Sequence, residues 1–176
     1  MEDTLSSEII FDGRILRLRH DRVRLPSGRE ASREIVEHVG AVAGVVLLEN
    51  NSVVLIRQFR KPVERELLEL PAGLIEEGES PEDAILREIK EETGFCAGRL
   101  SKLLSFYIGP GFTDAEIHLF LASDLTKEEP SPDEDEMLEV VILDLDDAIA
   151  AIGSEIVDAK TIIGLLLTGA LNERAA

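Results

Sequence analysis

The sequence predicts an α/β protein in which a mixed sheet is covered by helices on both faces, with a small antiparallel sheet ahead of it. Three observations carry this. Strand-like and helical segments alternate along most of the chain, with hairpins among them. One helix, after Gly73, carries suitable residues at both ends. The first 40 residues alternate arginine with apolar side chains between turn-forming pairs.

In order, residues 8–38 read as a small antiparallel sheet with strands at Ile9–Phe11, Ile15–Arg19, Asp21–Leu25 and Arg33–Glu37. Asp12-Gly13 and Pro26-Ser27-Gly28 supply the turns. The alternation at Arg17–Arg19 and Arg22–Leu25 predicts one basic face and one apolar face. A sheet this small needs something to pack on. Val39–Leu48 reads as a buried strand, and Ser52–Gln58 returns from it as a hairpin that opens the main domain. The expected division is therefore 1–38 and 39–176. Leu67–Leu70 leads into Pro71-Ala72-Gly73, which should end any regular strand.

The helix that follows starts at Ser80, a suitable N-cap, with Pro81 in first position and Glu82 and Asp83 at the positive end of its dipole. Gly94 fits the stop. Ile85, Leu86 and Ile89 should anchor it by packing while its acids face outward. Strands at Leu100–Ile108, Ile117–Ala122 and Leu138–Leu143 come next, then helices at about Leu145–Ile152 and Asp158–Leu171.

Leu, Ile and Val must carry the packing, because aromatics are only 4% and Trp is absent. Net charge is −18. Residues 1–40 hold seven arginines against eight acids, so the acidity belongs to the remainder, which would repel nucleic acid. A single cysteine, Cys96, excludes an intramolecular disulfide and a cysteine zinc cluster. His20, His38 and His118 show no metal-ligand spacing. The start lacks the basic and apolar regions of a signal peptide, and the longest apolar stretches are too short to span a bilayer. The expected location is cytoplasmic, without membrane contact.

Three glutamates crowd one side of the marked helix. At about 100° per residue, Glu91 lies about 60° from Glu88 on one side and Glu92 about 40° on the other. Like charges at this spacing destabilise a helix, and a hard divalent cation with oxygen ligands is the natural counter-ion.

Gly73, Glu79, Arg87, Glu88, Ile89, Glu91, Glu92, Gly94 and Phe95 together match a known pattern at every defined position. It resembles the signature box of Nudix hydrolases. The resemblance implies an α/β/α sandwich and Mg²⁺- or Mn²⁺-dependent cleavage of a diphosphate linked to another group. By resemblance, Glu88 and Glu92 are metal ligands, Glu91 is a ligand or an aid to the attacking water, and the carbonyl of Ala72 adds a ligand. Arg87 and Glu79 would hold loop and helix in register.

Other stretches are similar to the ADP-ribose pyrophosphatases of that family: Arg57-Gln58-Phe59-Arg60, Glu69-Leu70-Pro71-Ala72-Gly73, Gly109–Asp114 with Pro110, the acidic Asp133–Glu136, and Asp158–Thr161. The implied substrate is ADP-ribose, or another nucleoside diphosphate sugar such as ADP-glucose or GDP-mannose. A non-catalytic nucleotide sensor is the reading from another class, and the complete box argues against it. Glu136, then Glu134, is the implied base or third metal carboxylate. Arg60 either grips a substrate phosphate through its fork or pairs with nearby acids. Arg33 would reach the nucleotide of a neighbouring subunit in a homodimer whose N-terminal sheets are exchanged. The subfamily's Asp-Glu is replaced by Asp114-Ala115, with Glu116 one place later; the shift sends that carboxylate to the opposite face unless a bulge restores it.

Overall fold

The structure is a computed structural model that describes residues 1–128 and 138–175. Two compact units emerge, one formed by residues 1–40 with 106–116 and the other by 41–105 with 117–176.

The first unit is a three-stranded antiparallel sheet, β1 (Asp3–Asp12), β2 (Leu16–Arg24) and β3 (Glu30–His38), in that spatial order. Gly28, at φ 83°, closes the second turn where Leu25 exchanges backbone bonds with Gly28 and Arg29. The expected strands Ile15–Arg19 and Asp21–Leu25 are one strand, because nothing between them breaks the ladder: its register with β3 is unbroken from Leu16↔His38 to Arg24↔Glu30. Continuity also overturns the expected basic face. With a period of two, Arg17 and Arg19 fall on one side of β2 and Arg22 and Arg24 on the other. The Gly109–Asp114 loop belongs to this unit, since Phe112 O accepts from Val36 N at 2.8 Å and Asp114 Oδ1 from His38 N at 2.9 Å.

The second unit is built on a mixed sheet: β4 (Ala41–Leu47), β5 (Ser52–Arg60), β6 (Arg65–Glu69), β7 (Ala72–Leu74), β8 (Phe95–Tyr107), β9 (Glu116–Lys127) and β10 (Leu138–Asp144). The main path runs β10-β5-β4-β9-β8, with β4 and β9 parallel and β5 antiparallel to β4 and β10. Helices lie on both faces. Ile85 and Ile89 of α1 (Pro81–Thr93) are fully buried against Val42, Val46, Val54 and Phe120. They press so close to Gly44 that a Cβ there would meet Ile89 Cδ1 at 2.9 Å. On the opposite face, Gly164 of α3 (Ala159–Ala175) fits against Leu70, Val45 and Leu119. A short α2 (Leu145–Ala150) precedes it.

The hairpin β4–β5 splays. Its strands pair only at Val46↔Val54 and Leu47↔Val53; beyond that β6 pairs with β5, and β7 with β4. Pro71 stands where the chain crosses between them. Contrary to expectation, the strand resumes after it, because Ala72–Leu74 gains the free edge of β4 while Pro71 O accepts from Gly44 N at 3.0 Å.

Candidate catalytic site

The split in the sheet places the Ala72–Gly73 backbone beneath α1. The helix is anchored as its sequence dictates: Ser80 Oγ accepts from Asp83 N at 3.1 Å, and Gly94, at φ 71°, sends its N–H to Lys90 O. Two expectations fail. Leu86 is 37% exposed, outside the packing made by Ile85 and Ile89. The acids do not all face outward either, for Glu92 is only 3% exposed. The roll of the helix that seats Ile85 and Ile89 on β4 turns Glu88 and Glu92 towards β7.

There they converge on two backbone positions. Ala72 N donates to Glu92 Oε2 at 2.9 Å. The Glu88 carboxylate occupies the space that a Cβ on Gly73 would need, so a larger residue there would displace it. Glu91, on the helix shoulder, stays partly exposed.

Arg87 ties these acids into a fixed array. Its guanidinium donates from Nε and Nη2 to both oxygens of Glu79 at 3.0 Å, and from Nη1 to Glu88 Oε1 at 2.8 Å and Glu91 Oε2 at 3.1 Å. Nη2 also reaches Leu74 O at 3.1 Å. Its pKa is pushed up, chiefly by the bonds to Glu79. In turn the Arg87 fork holds the Glu79 carboxyl below its usual range. This is the register-keeping role expected for the pair.

A second array realises the acid pairing that was one of two expectations for Arg60, with partners that were not foreseen. Glu69, 2% exposed, accepts a fork from Arg60, Nε to Oε1 at 2.8 Å and Nη2 to Oε2 at 3.0 Å, and an ion pair from Lys160. Burial pushes the Glu69 carboxyl up, but the bonds from Arg60 and the charge of Lys160 outweigh it and leave the group below its usual range. Arg60 is shifted up, first by its bonds to Glu69 and further by Glu92 and Asp158. The signals available in sequence were Glu69 before Leu-Pro-Ala-Gly and Lys160 in the closing helix, 91 residues apart.

Of the residues expected in the site, Ala72, Glu88, Glu91 and Glu92 come together, and Arg60 pairs with a buried acid. Arg33 lies in the N-terminal unit, where Nε donates to Glu2 Oε2 at 3.0 Å. Glu134 and Glu136 lie outside the described residues. Ala115 is buried, its N–H held by Thr113 Oγ1 at 3.1 Å, and Glu116 opens β9 half-buried. Among the described residues, no three His, Cys, Asp or Glu side chains stand in metal-ligating proximity. Glu88 and Glu92 against the Ala72–Gly73 backbone nonetheless form an all-oxygen donor set, which fits a hard divalent cation.

The chain matches the NUDIX domain over residues 38–163 and the nucleoside diphosphate sugar hydrolase N-terminal domain over residues 2–36. It is 45% identical over 163 residues to an ADP-ribose pyrophosphatase of Bacillus subtilis, covering 91% of this chain and 88% of that one. It is 43% identical over 167 residues to a methanol dehydrogenase activator of Bacillus methanolicus, covering 93% and 90%. A solved ADP compounds hydrolase shares the fold, with a TM-score of 0.90 and 24% identity over 99% of this chain and 96% of that one.

Proposed function

The chain belongs to the Nudix family, and on that premise we propose that it is a pyrophosphatase that hydrolyses ADP-ribose to AMP and ribose 5-phosphate, with Mg²⁺ as its cation. The observation that carries this is the convergence of Glu88 and Glu92 on the Ala72–Gly73 backbone. It joins a domain match to a hydrolase of nucleoside diphosphate sugars and to a relative named ADP-ribose pyrophosphatase.

Glu88, Glu92, Glu91 and the carbonyl of Ala72 would hold the cation. When bound, it neutralises diphosphate oxygens and makes water a better nucleophile. The remaining work belongs to the chain. Arg87 keeps the glutamates spaced and supplies positive charge until they are needed. Arg60 grips the diphosphate through its fork while Glu69 holds its other edge. Water attacks phosphorus, the bridging P–O bond breaks, and the water proton passes to Glu136, or to Glu134 if that loop residue is nearer. Gly109–Asp114 is fastened to β3. Arg33 would contact the nucleotide of a neighbouring subunit in a homodimer with exchanged N-terminal sheets; light scattering that finds a monomer contradicts this. The protein acts in the cytoplasm on a small molecule, without nucleic acid or membrane. No helix among the described residues is long and apolar enough to cross a membrane.

The test is incubation with Mg²⁺ and a panel of ADP-ribose, ADP-glucose and GDP-mannose, with products separated by chromatography. AMP and ribose 5-phosphate from ADP-ribose are expected as the fastest reaction. Preference for a different sugar moves the substrate but keeps the chemistry, whereas no cleavage of any diphosphate sinks the reading.

A further inference from the structure

Glu69, Lys160, Asp158 and Thr161 form a circuit that the signature motif does not explain. Glu69 Oε2 takes the Lys160 ammonium, and Lys160 Nζ also pairs with Asp158 Oδ2 at 3.0 Å. That same oxygen accepts from Thr161 N at 3.0 Å and Thr161 Oγ1 at 2.6 Å. Thr161 Oγ1 in turn accepts from Leu70 N at 2.9 Å. The circuit therefore begins on Glu69 and returns to the next residue of the chain, two before Ala72. Asp158 thereby caps α3, and Thr161, held by it, clamps the crossing segment at Leu70.

The shared carboxylate makes the circuit more than a brace. A forked Arg60–Glu69 pair is already neutral and needs no second cation. Lys160 nevertheless shares Glu69 Oε2, and its side chain is 11% exposed against 35% for Arg60. Lys160, itself balanced by Asp158, thus pins the same carboxylate that Arg60 grips and fixes where the Arg60 fork sits. Among the described residues, Arg60 bonds through Nε and Nη2, which leaves Nη1 for an incoming anion.

We infer that Lys160 is a positioning residue for the diphosphate, acting through Glu69 on the orientation of Arg60. The inference rests on the reading that Arg60 grips that diphosphate. Losing Lys160 removes the second partner of Glu69 Oε2, frees the carboxylate to shift with the Arg60 fork, and leaves Asp158 to its Thr161 donors.

The experiment is steady-state kinetics on ADP-ribose with Mg²⁺, for full-length wild type, Lys160→Met, Lys160→Arg, Arg60→Met and the Lys160→Met/Arg60→Met double variant. Lys160→Met should raise KM about ten-fold, the scale of one charge-assisted hydrogen bond, with a much smaller change in kcat. Lys160→Arg should restore most of the loss. In the Arg60→Met background the Lys160 change should add nothing to KM, a coupling that a purely structural role would not produce. An unchanged KM in Lys160→Met, or a KM increase that persists undiminished without Arg60, overturns the inference. If Lys160→Met fails to fold, Lys160→Gln takes its place in the same comparison. Wild type inactive on every diphosphate sugar would overturn the functional reading and this inference together; active wild type with an indifferent Lys160 overturns the inference alone.

Discussion

Ala72 and Glu92 are joined by a hydrogen bond of 2.9 Å from the backbone N–H to Oε2, which fastens the strand crossing to the far end of the signature helix. Glu92 is therefore both a candidate ligand and the strut that holds another, the Ala72 carbonyl. Only 3% exposed, its carboxylate is held by hydrogen bonding within the fold, as a buried charge must be, and Ala72 N is one of its donors.

Glu92→Gln tests that double role. The amide keeps the shape but loses the charge, and its NH₂ competes with its oxygen for the place facing Ala72 N. Activity should fall by more than about 100-fold, beyond what a change behind the ligands costs. Mg²⁺ should also lose its ability to raise the melting temperature. An unaltered Mg²⁺ titration would remove Glu92 from the cation site.

Gly73→Ala addresses the neighbour. A methyl group cannot share space with the Glu88 carboxylate, so either the carboxylate or β7 must move. We expect a stability loss of about 1–3 kcal/mol, typical of overpacking, together with a large rise in the Mg²⁺ concentration needed for activity. Calorimetry and a metal titration read the two effects separately. Wild-type metal dependence in a folded Gly73→Ala protein would show that Glu88 need not sit there.

Arg87 bonds with Glu79, Glu88, Glu91 and Leu74 O. Arg87→Met should cost about 2 kcal/mol without metal, because several carboxylates lose a charged partner at a site still partly open to solvent. Saturating Mg²⁺ should shrink that cost, since a cation takes over part of the neutralisation. Arg87→Lys should recover little, lacking the planar fork. Chemical denaturation with and without Mg²⁺ decides this, and a cost that Mg²⁺ leaves untouched counts against it.

Glu69 carries a pH signature. Its folded carboxyl titrates below the ordinary 4.5, so its contribution is complete above that value and is lost as pH falls through the lower, folded one. The stability gap between wild type and Glu69→Gln should accordingly be flat from about pH 6 to 8 and close on acidification below about 4.5. A gap that widens in acid would mean that the folded state favours the protonated acid. Arg87 adds no pH dependence in this range, because its shift moves an already protonated group further from titration.

Much of the architecture was legible in local sequence because local rules produced it. Ser80, Pro81 and Gly94 marked α1 at both ends, and the hairpin and later strands appeared where their apolar runs lie. The errors came where a local pattern has two continuations. His20 interrupts the Arg–apolar alternation without breaking the ladder, so two expected strands are one and the arginines divide between its faces. Pro71 does interrupt a strand, yet the chain finds a second edge to pair with at the very next residue, Ala72.

The sequence by itself determined the chemistry. The spacing of Glu88, Glu91 and Glu92 follows from helical periodicity, and the glycine at 73 leaves room for the Glu88 carboxylate where it sits. Only the tertiary structure decided which way those carboxylates face. The burial of Ile85 and Ile89 against β4 sets the roll of the helix, turning Glu88 and Glu92 inward and leaving Leu86 in solvent. It alone also brought Lys160 to Glu69, since no local periodicity links residues 91 positions apart and only the docking of α3 on the split sheet does so.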